Sequence, residues 1–239
     1  MIPFAFFALL TNDNSHVEII VENVATFNIK YKNEIAMLRE INNNFLIRSP
    51  IFKTNKHIFN TYRFFEKPTV QSEYTYIADI DIMFLEDNIV EKYESFWPEN
   101  LPYNNVLRTK TTSRLTGVHM VKTNEYFTNK LIECQKKYYN KNSPINDEVI
   151  LGDMCKEIFG LPNFNHRNRP IYGIHFSPNR GPKKSMGLCV SKKYYDKFMD
   201  IKSEYKQLFE FDIFNNLTKQ LTTDFIVNER DPLANIRLP

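Results

Sequence analysis

Glycine is scarce in this chain, with six among 239 residues. A phosphate-cradling P-loop and the Rossmann Gly-x-Gly-x-x-Gly fingerprint both need clustered glycines, so both are set aside. Cysteine is nearly as rare: Cys134, Cys155 and Cys189 are odd in number and show no Cys-x-x-Cys spacing. That disfavours a disulfide framework or a cysteine zinc site and predicts reduced thiols in a cytosolic compartment. Charge of one sign is also missing. A formal net charge of +3 leaves no electrostatic footprint for nucleic acid. No apolar run is long enough to span a bilayer; the opening stretch 2–10 is too short, and it lacks the basic leader and small-residue cleavage site of a signal peptide. Internal repeats and low-complexity tracts are absent as well.

What is present is a globular composition, 42% apolar and 14% aromatic. The length suits one large α/β domain, or a main domain with a small appendage. Residues 4–11 read as a continuous apolar strand, the pattern of a central strand in a parallel sheet. Turn chemistry at 11–15 follows, then a helix carrying Val17, Ile20, Val21 and Val24 on one face. In such a strand–loop–helix unit ligands collect at the carboxyl end of the strand. Thr11, Asn12 and Asp13 are therefore candidate ligand contacts, or else residues that turn the chain and cap the helix.

Further along, 27–31 reads as a strand, 34–47 as a helix, and 57–65 as a helix carrying Arg63. Residues 87–96 suit a short helix, 106–111 and 115–121 strands, 125–139 and 146–159 helices. In the second strand Gly117 permits close backbone approach. Residues 170–176 form a last short strand ending at His175, and a cationic loop with Lys183 and Lys184 follows. Residues 194–214 are mostly helical, and the tail from 215 is weakly patterned.

The stretch 74–85, Tyr-Thr-Tyr-Ile-Ala-Asp-Ile-Asp-Ile-Met-Phe-Leu, organises the chain. It reads as a buried strand with Asp79 and Asp81 set into its far end. Burying two carboxylates costs several kcal/mol unless something compensates. Two apart on a strand, they point to one side, and a hard divalent cation such as Mn²⁺ or Mg²⁺ relieves their repulsion. The competing reading is a strand-to-turn junction at which Asp caps the next element of the chain.

The order of these features resembles the GT-A glycosyltransferases, most closely the retaining family of glycogenin and bacterial lipooligosaccharide galactosyltransferases. The likeness runs through short motifs from about Phe4 to Lys184. It implies an α/β GT-A fold with a mixed central sheet over residues 1–190 and a helical extension over 191–239. It also implies that Thr11 and Asn12 contact the nucleotide and that Tyr62-Arg63 matches a Tyr-x-Arg whose Arg supports the donor diphosphate. Asp79-Ile80-Asp81 matches the Asp-x-Asp that holds Mn²⁺ against that diphosphate. Thr116-Gly117-Val118 is similar to the family's Asn-Ser-Gly-Val, with Leu115 and Thr116 replacing Asn and Ser. Asp147-Glu148-Val149-Ile150-Leu151 resembles Asp-Gln-Asp-Ile-Leu, with Glu148 where the family has Gln beneath the anomeric carbon. His175 matches the third metal ligand, and Lys183 or Lys184 the lysine that follows it, though at longer spacing.

The resemblance thus implies a metal-dependent transferase moving a sugar, by preference from a UDP-sugar, to a glycan or lipid-linked glycan acceptor in bacterial cell-surface polysaccharide synthesis. Asp79, Asp81 and His175 would fix the ion, and Arg63 with a lysine would complete an electrostatic clamp on the departing phosphate. Glu148 or Asp147 would serve at the anomeric centre or as the base, with retention favoured over inversion. The expected location is cytoplasmic, with peripheral contact to the inner membrane face left open. Two rivals stand beside this reading. One is a non-catalytic carbohydrate-binding or assembly protein of similar fold. The other is a haloacid-dehalogenase-like phosphatase, disfavoured because its Asp-x-Asp strand lies near the chain start and is followed by Thr or Val, where this chain has Met83.

Overall fold

The computed structural model describes residues 1–52, 59–139, 146–168, 173–176 and 188–229. It is a mixed α/β chain of helices and several small sheets. Its contacts gather into two units: unit 1 is Met1–Ile47, Ile80–Asp87 and Tyr172–Pro239, and unit 2 is Arg48–Asp79 and Asn88–Ile171.

The first elements are α1 (Ile2–Thr11), β1 (Val17–Ile20), α2 (Val24–Lys30), α3 (Lys32–Ile41) and β2 (Phe45–Arg48). A 3₁₀ helix at Phe59–Phe64 precedes β3 (Tyr74–Ile77), β4 (Ile82–Phe84), α4 (Ile89–Glu94), β5 (Tyr103–Asn104) and β6 (His119–Lys122). Then come α5 (Thr123–Tyr126), α6 (Asn129–Tyr139), α7 (Asp147–Ile158) and β7 (Gly173–His175). The chain continues through β8 (Leu188–Ser191), α8 (Lys192–Glu204), a 3₁₀ turn at Leu208–Glu210, α9 (Asp212–Asp224) and β9 (Phe225–Asn228).

The opening run is thus a helix, not the expected strand. A segment apolar on every side suits a buried helix as well as a buried strand. Here Pro3 occupies the first turn, where its missing N–H costs nothing, and Ala5, Ala8, Leu9 and Leu10 favour helix. The helix contributes Ile2, Phe6, Phe7 and Leu9 to the unit 1 core. Phe7 is fully buried and stacks on Phe198 with ring centroids 5.4 Å apart, while Phe6 meets Tyr205 and Phe214 edge-on. Each such ring contributes about 1.5–3 kcal/mol on burial.

Other expectations in unit 1 shift for local reasons. Val17–Ile20 is a strand rather than a helix, and its β-branched residues pair with β2. The predicted strand at 27–31 falls on the end of α2 and its C-cap Tyr31; Asn23 starts that helix by accepting from the Thr26 N–H at 2.9 Å. The helix predicted over 34–47 ends at Ile41, and its last residues become β2. The supposedly weak tail carries the rest of α9 and then β9, which pairs parallel with β8. In a second sheet β4 pairs antiparallel with β7, Ile82 opposite His175 and Phe84 opposite Gly173. Gly173 has φ +148°, and a Cβ there would lie 1.7 Å from the Met83 carbonyl oxygen.

Unit 2 is built on the antiparallel sheet β3-β6-β5. Its core gathers Phe64, Tyr103, Tyr126, Leu131, Leu151, Met154 and Cys155. The helix α7 agrees with expectation: Asn146 caps it, accepting from the N–H groups of Glu148 and Val149. Residues 106–111 form a loop rather than a strand, and the predicted strand at 115–121 is regular only from His119. The chain after that loop rests on α7 so closely that a Cβ on Gly152 would lie 1.7 Å from the Ser113 carbonyl oxygen.

The diacid stretch is not one strand. It breaks after Ile77 and resumes at Ile82; β3 pairs with β6 of unit 2 and β4 with β7 of unit 1. Asp79 and Asp81 lie in the break, where Ile80 is 69% exposed. The chain leaves the strand where continuing it would bury two carboxylates, which is the junction reading of the motif. The described residues carry four small sheets.

Candidate functional site

Unit 2 brings together four of the residues singled out in the sequence. The 3₁₀ helix Phe59–Phe64 presents Arg63, whose guanidinium lies over the Phe64 ring at 4.4 Å from its centroid. Its Nη1 donates to the Asn60 carbonyl at 2.5 Å, which fixes the fork. Nη2 then meets two carboxylates, Asp79 Oδ1 at 2.7 Å and Asp147 Oδ2 at 2.8 Å. Asp79 reaches this point from the end of β3, and Asp147 is the first residue of α7, where a carboxylate also meets the positive end of the helix dipole. Gly117 forms the floor. A Cβ there would lie 2.5 Å from Asp79 Oδ2 and 3.1 Å from Arg63 Nη2. The close approach foreseen for Gly117 is therefore an approach to Asp79. The side chains of Arg63, Asp79 and Asp147 are between 21% and 34% exposed, so the cluster is accessible yet only part-hydrated.

Glu148, the next residue, turns to different partners. Its Oε2 accepts from Arg114 Nε at 2.7 Å and lies 2.6 Å from Arg114 Nη2 and 3.1 Å from Arg108 Nη1. Two guanidiniums therefore bracket this carboxylate. Neither arginine had been singled out from sequence. The signal that marks them is that residues 100–124 contain no Asp or Glu.

Unit 1 holds the second carboxylate of the motif. Asp81 Oδ2 lies 3.3 Å from His175 Nε2, with side chains 28% and 27% exposed. The pairing of β4 with β7 sets this distance, extended by the Phe176 N–H donating to the Asp81 carbonyl at 2.7 Å. A carboxylate and an imidazole side by side offer the oxygen and nitrogen donors that Mn²⁺ accepts. Among the described residues no group of three or more His, Cys, Asp or Glu stands ready to enclose an ion.

The other candidates in unit 1 are engaged in shaping the chain. Thr11 is buried at the end of α1, its Oγ1 donating to the Phe7 carbonyl at 2.8 Å. Asn12 Nδ2 donates to Thr11 Oγ1 at 3.0 Å and to the Glu86 carbonyl at 3.3 Å. Asp13 is exposed in the turn. The sequence allows these three residues to contact a ligand or to turn the chain and cap a following helix; here they end α1, and the strand β1 follows. Lys183 and Lys184 lie outside the described residues.

One buried polar network in unit 2 underlies the site. Asn105 Oδ1 accepts from the N–H groups of Val106 and Thr116 and from Thr116 Oγ1. Its amide nitrogen must then donate, to the Thr116 carbonyl and to His119 Nδ1, both at 3.0 Å. That assigns the His119 proton to Nε2. The ring is fully buried beside Tyr103 and Tyr126, with centroids 4.8 and 5.0 Å away. Burial, aided by the nearby Arg63 charge, lowers its pKa to about 3. His119 is thus a neutral packing histidine.

No helix among the described residues is long and apolar enough to cross a membrane. Comparison of the chain with protein-family models, with curated proteins and with solved structures finds no match.

Proposed function

We propose that this protein is a metal-dependent glycosyltransferase of the GT-A kind, taking its sugar from a nucleotide diphosphate donor, with UDP favoured, and passing it to a glycan or lipid-linked glycan in bacterial surface polysaccharide synthesis. The observation that carries the reading is the meeting of Arg63, Asp79, Gly117 and Asp147. The family resemblance picked out each of them as a donor-site residue, and they come from four separate segments of the sequence. Chance pairing of charged side chains explains one contact more easily than this set.

In this reading Arg63 exchanges carboxylate partners for the donor diphosphate, and Asp147 holds a sugar hydroxyl. A divalent ion, Mn²⁺ or Mg²⁺, would supply charge neutralisation on the leaving diphosphate. Asp81 and His175 are the donors of unit 1 that suit it, and Asp79 is the motif's other carboxylate. Glu148, clamped by Arg108 and Arg114, serves better as a positioned carboxylate near the start of α7 than as a mobile base. The expected place of action is the cytoplasmic side of the membrane, where nucleotide sugars are used.

A thermal-shift screen of UDP-, GDP-, CMP- and dTDP-sugars, each with and without Mn²⁺, tests the proposal. Metal-dependent stabilisation by one nucleotide class supports it. Stabilisation by free oligosaccharides alone favours the carbohydrate-binding reading, and no response to any nucleotide sugar contradicts the transferase.

A further inference from the structure

Two stretches of this sequence are free of acid: no Asp or Glu occurs between Glu99 and Glu125, nor between Glu157 and Asp196. Parts of both form neighbouring loops in unit 2. The first loop closes on itself where the Arg108 N–H donates to the Arg114 carbonyl at 2.9 Å, and Thr109, Lys110, Thr111 and Thr112 project from it into solvent. The second loop, 163–168, is tied back by His166 Nε2 at 3.3 Å from Asn104 Oδ1. Phe164 joins the two. Arg167 lies over its ring at 3.9 Å from the centroid and Lys110 at 5.3 Å, so one half-buried ring holds a cation from each loop.

The charges on this face are not balanced. Glu148 answers Arg108 and Arg114 together with a single carboxylate. Lys110 and Arg167 meet no carboxylate among the described residues; an aromatic face is their common partner. Cation–π contact orients such groups without neutralising them. A surface that holds two cations in place, leaves their charge unspent and surrounds them with hydroxyls is suited to an anion rich in oxygen.

We infer that this face of unit 2, centred on Lys110 and Arg167, binds a negatively charged saccharide, one bearing carboxylate or phosphate groups. Lys110 and Arg167 take the charged groups, and the threonines of the first loop take sugar hydroxyls. Nucleic acid is the less suitable polyanion. The whole chain carries only +3, and Phe164 is a single half-buried ring rather than an exposed row for base stacking. The inference concerns a different group of residues from the Arg63 cluster and stands whether or not nucleotide-sugar transfer is found. If transfer is found, this is where an acidic acceptor docks.

The test is calorimetric titration of the whole chain with tetragalacturonate, with phosphorylated maltotetraose, and with plain maltotetraose as the neutral control. An oligothymidylate is titrated in parallel, and the saccharide titrations are repeated in saturating UDP. At least one charged saccharide should bind, more weakly as salt is raised. The Lys110→Ala/Arg167→Ala variant should lose about tenfold or more in affinity while keeping the wild-type melting temperature. UDP should leave the binding unchanged. Equal binding of neutral maltotetraose, undiminished binding in the double variant, tighter binding of the oligothymidylate, or displacement by UDP would each overturn the inference. Absence of nucleotide-sugar turnover would overturn the transferase reading and leave this one intact.

Discussion

Arg63 Nη2 lies 2.7 Å from Asp79 Oδ1, so the first carboxylate of the diacid motif is balanced by a cation of the same unit. The same nitrogen holds Asp147, so Arg63 keeps two anions together that otherwise repel. Replacing it by Ala should cost about 1–3 kcal/mol, reduced from a fully buried value because all three side chains are part-exposed. Arg63→Lys should recover part of this, since one ammonium can reach the carboxylates but lacks the fixed fork. Urea unfolding of the two variants checks the order; equal loss in both would mean that the fork does not matter.

Gly117→Ala separates site from fold. The added methyl meets the ends of two side chains, Asp79 Oδ2 and Arg63 Nη2, rather than backbone. The chain can yield there, so stability should change by no more than about 1 kcal/mol. Asp79 must move, however, and nucleotide-sugar binding should weaken at least tenfold. Titration of the donor beside a melting curve reads both; unchanged binding would remove Gly117 from the site.

Gly173 is the opposite case. Its φ of +148° is unfavourable for any side chain, and a Cβ would strike the Met83 carbonyl at 1.7 Å. Gly173→Ala should therefore break the pairing of β4 with β7 and destabilise the protein by about 3 kcal/mol or more. The unfolding midpoint in urea measures this directly.

His119 makes stability pH-dependent. Its pKa is about 3 in the folded chain, held down by burial, against an ordinary value near 6.5. Between those values the unfolded chain binds a proton that the folded chain refuses, so stability present above about pH 6.5 is lost as pH falls. The slope from this one group approaches about 1.4 kcal/mol per pH unit. His119→Leu lowers stability at pH 7 but flattens that slope, which unfolding curves at pH 7, 6 and 5 reveal.

How much of this was legible beforehand varied with the kind of signal. The start of α7 was readable because Asn146 is a strong cap and the apolar positions behind it repeat at helical spacing. The helix α1 was not, because a run apolar on every side has no period to separate helix from strand. The break in the diacid stretch was foreshadowed by the cost of burying Asp79 and Asp81, yet flanking β-branched residues argued for continuity. Arg63, Asp79, Gly117 and Asp147 came from motif order. The pairing of Glu148 with Arg108 and Arg114 depends on a loop folding onto α7, and only the acid-free composition of 100–124 hints at it.

On the proposed reading the diacid motif serves a metal-dependent transfer from a nucleotide sugar. Asp81→Asn probes that role, because it removes one charge and keeps the side chain's size beside His175. The measurement is release of the nucleotide from the donor identified by thermal shift, followed with Mn²⁺ present and after chelation. Release by the wild type that disappears on chelation, and at least a hundredfold loss in the variant with an unchanged melting temperature, is the predicted result. Full activity in Asp81→Asn, or release indifferent to chelation, would contradict it.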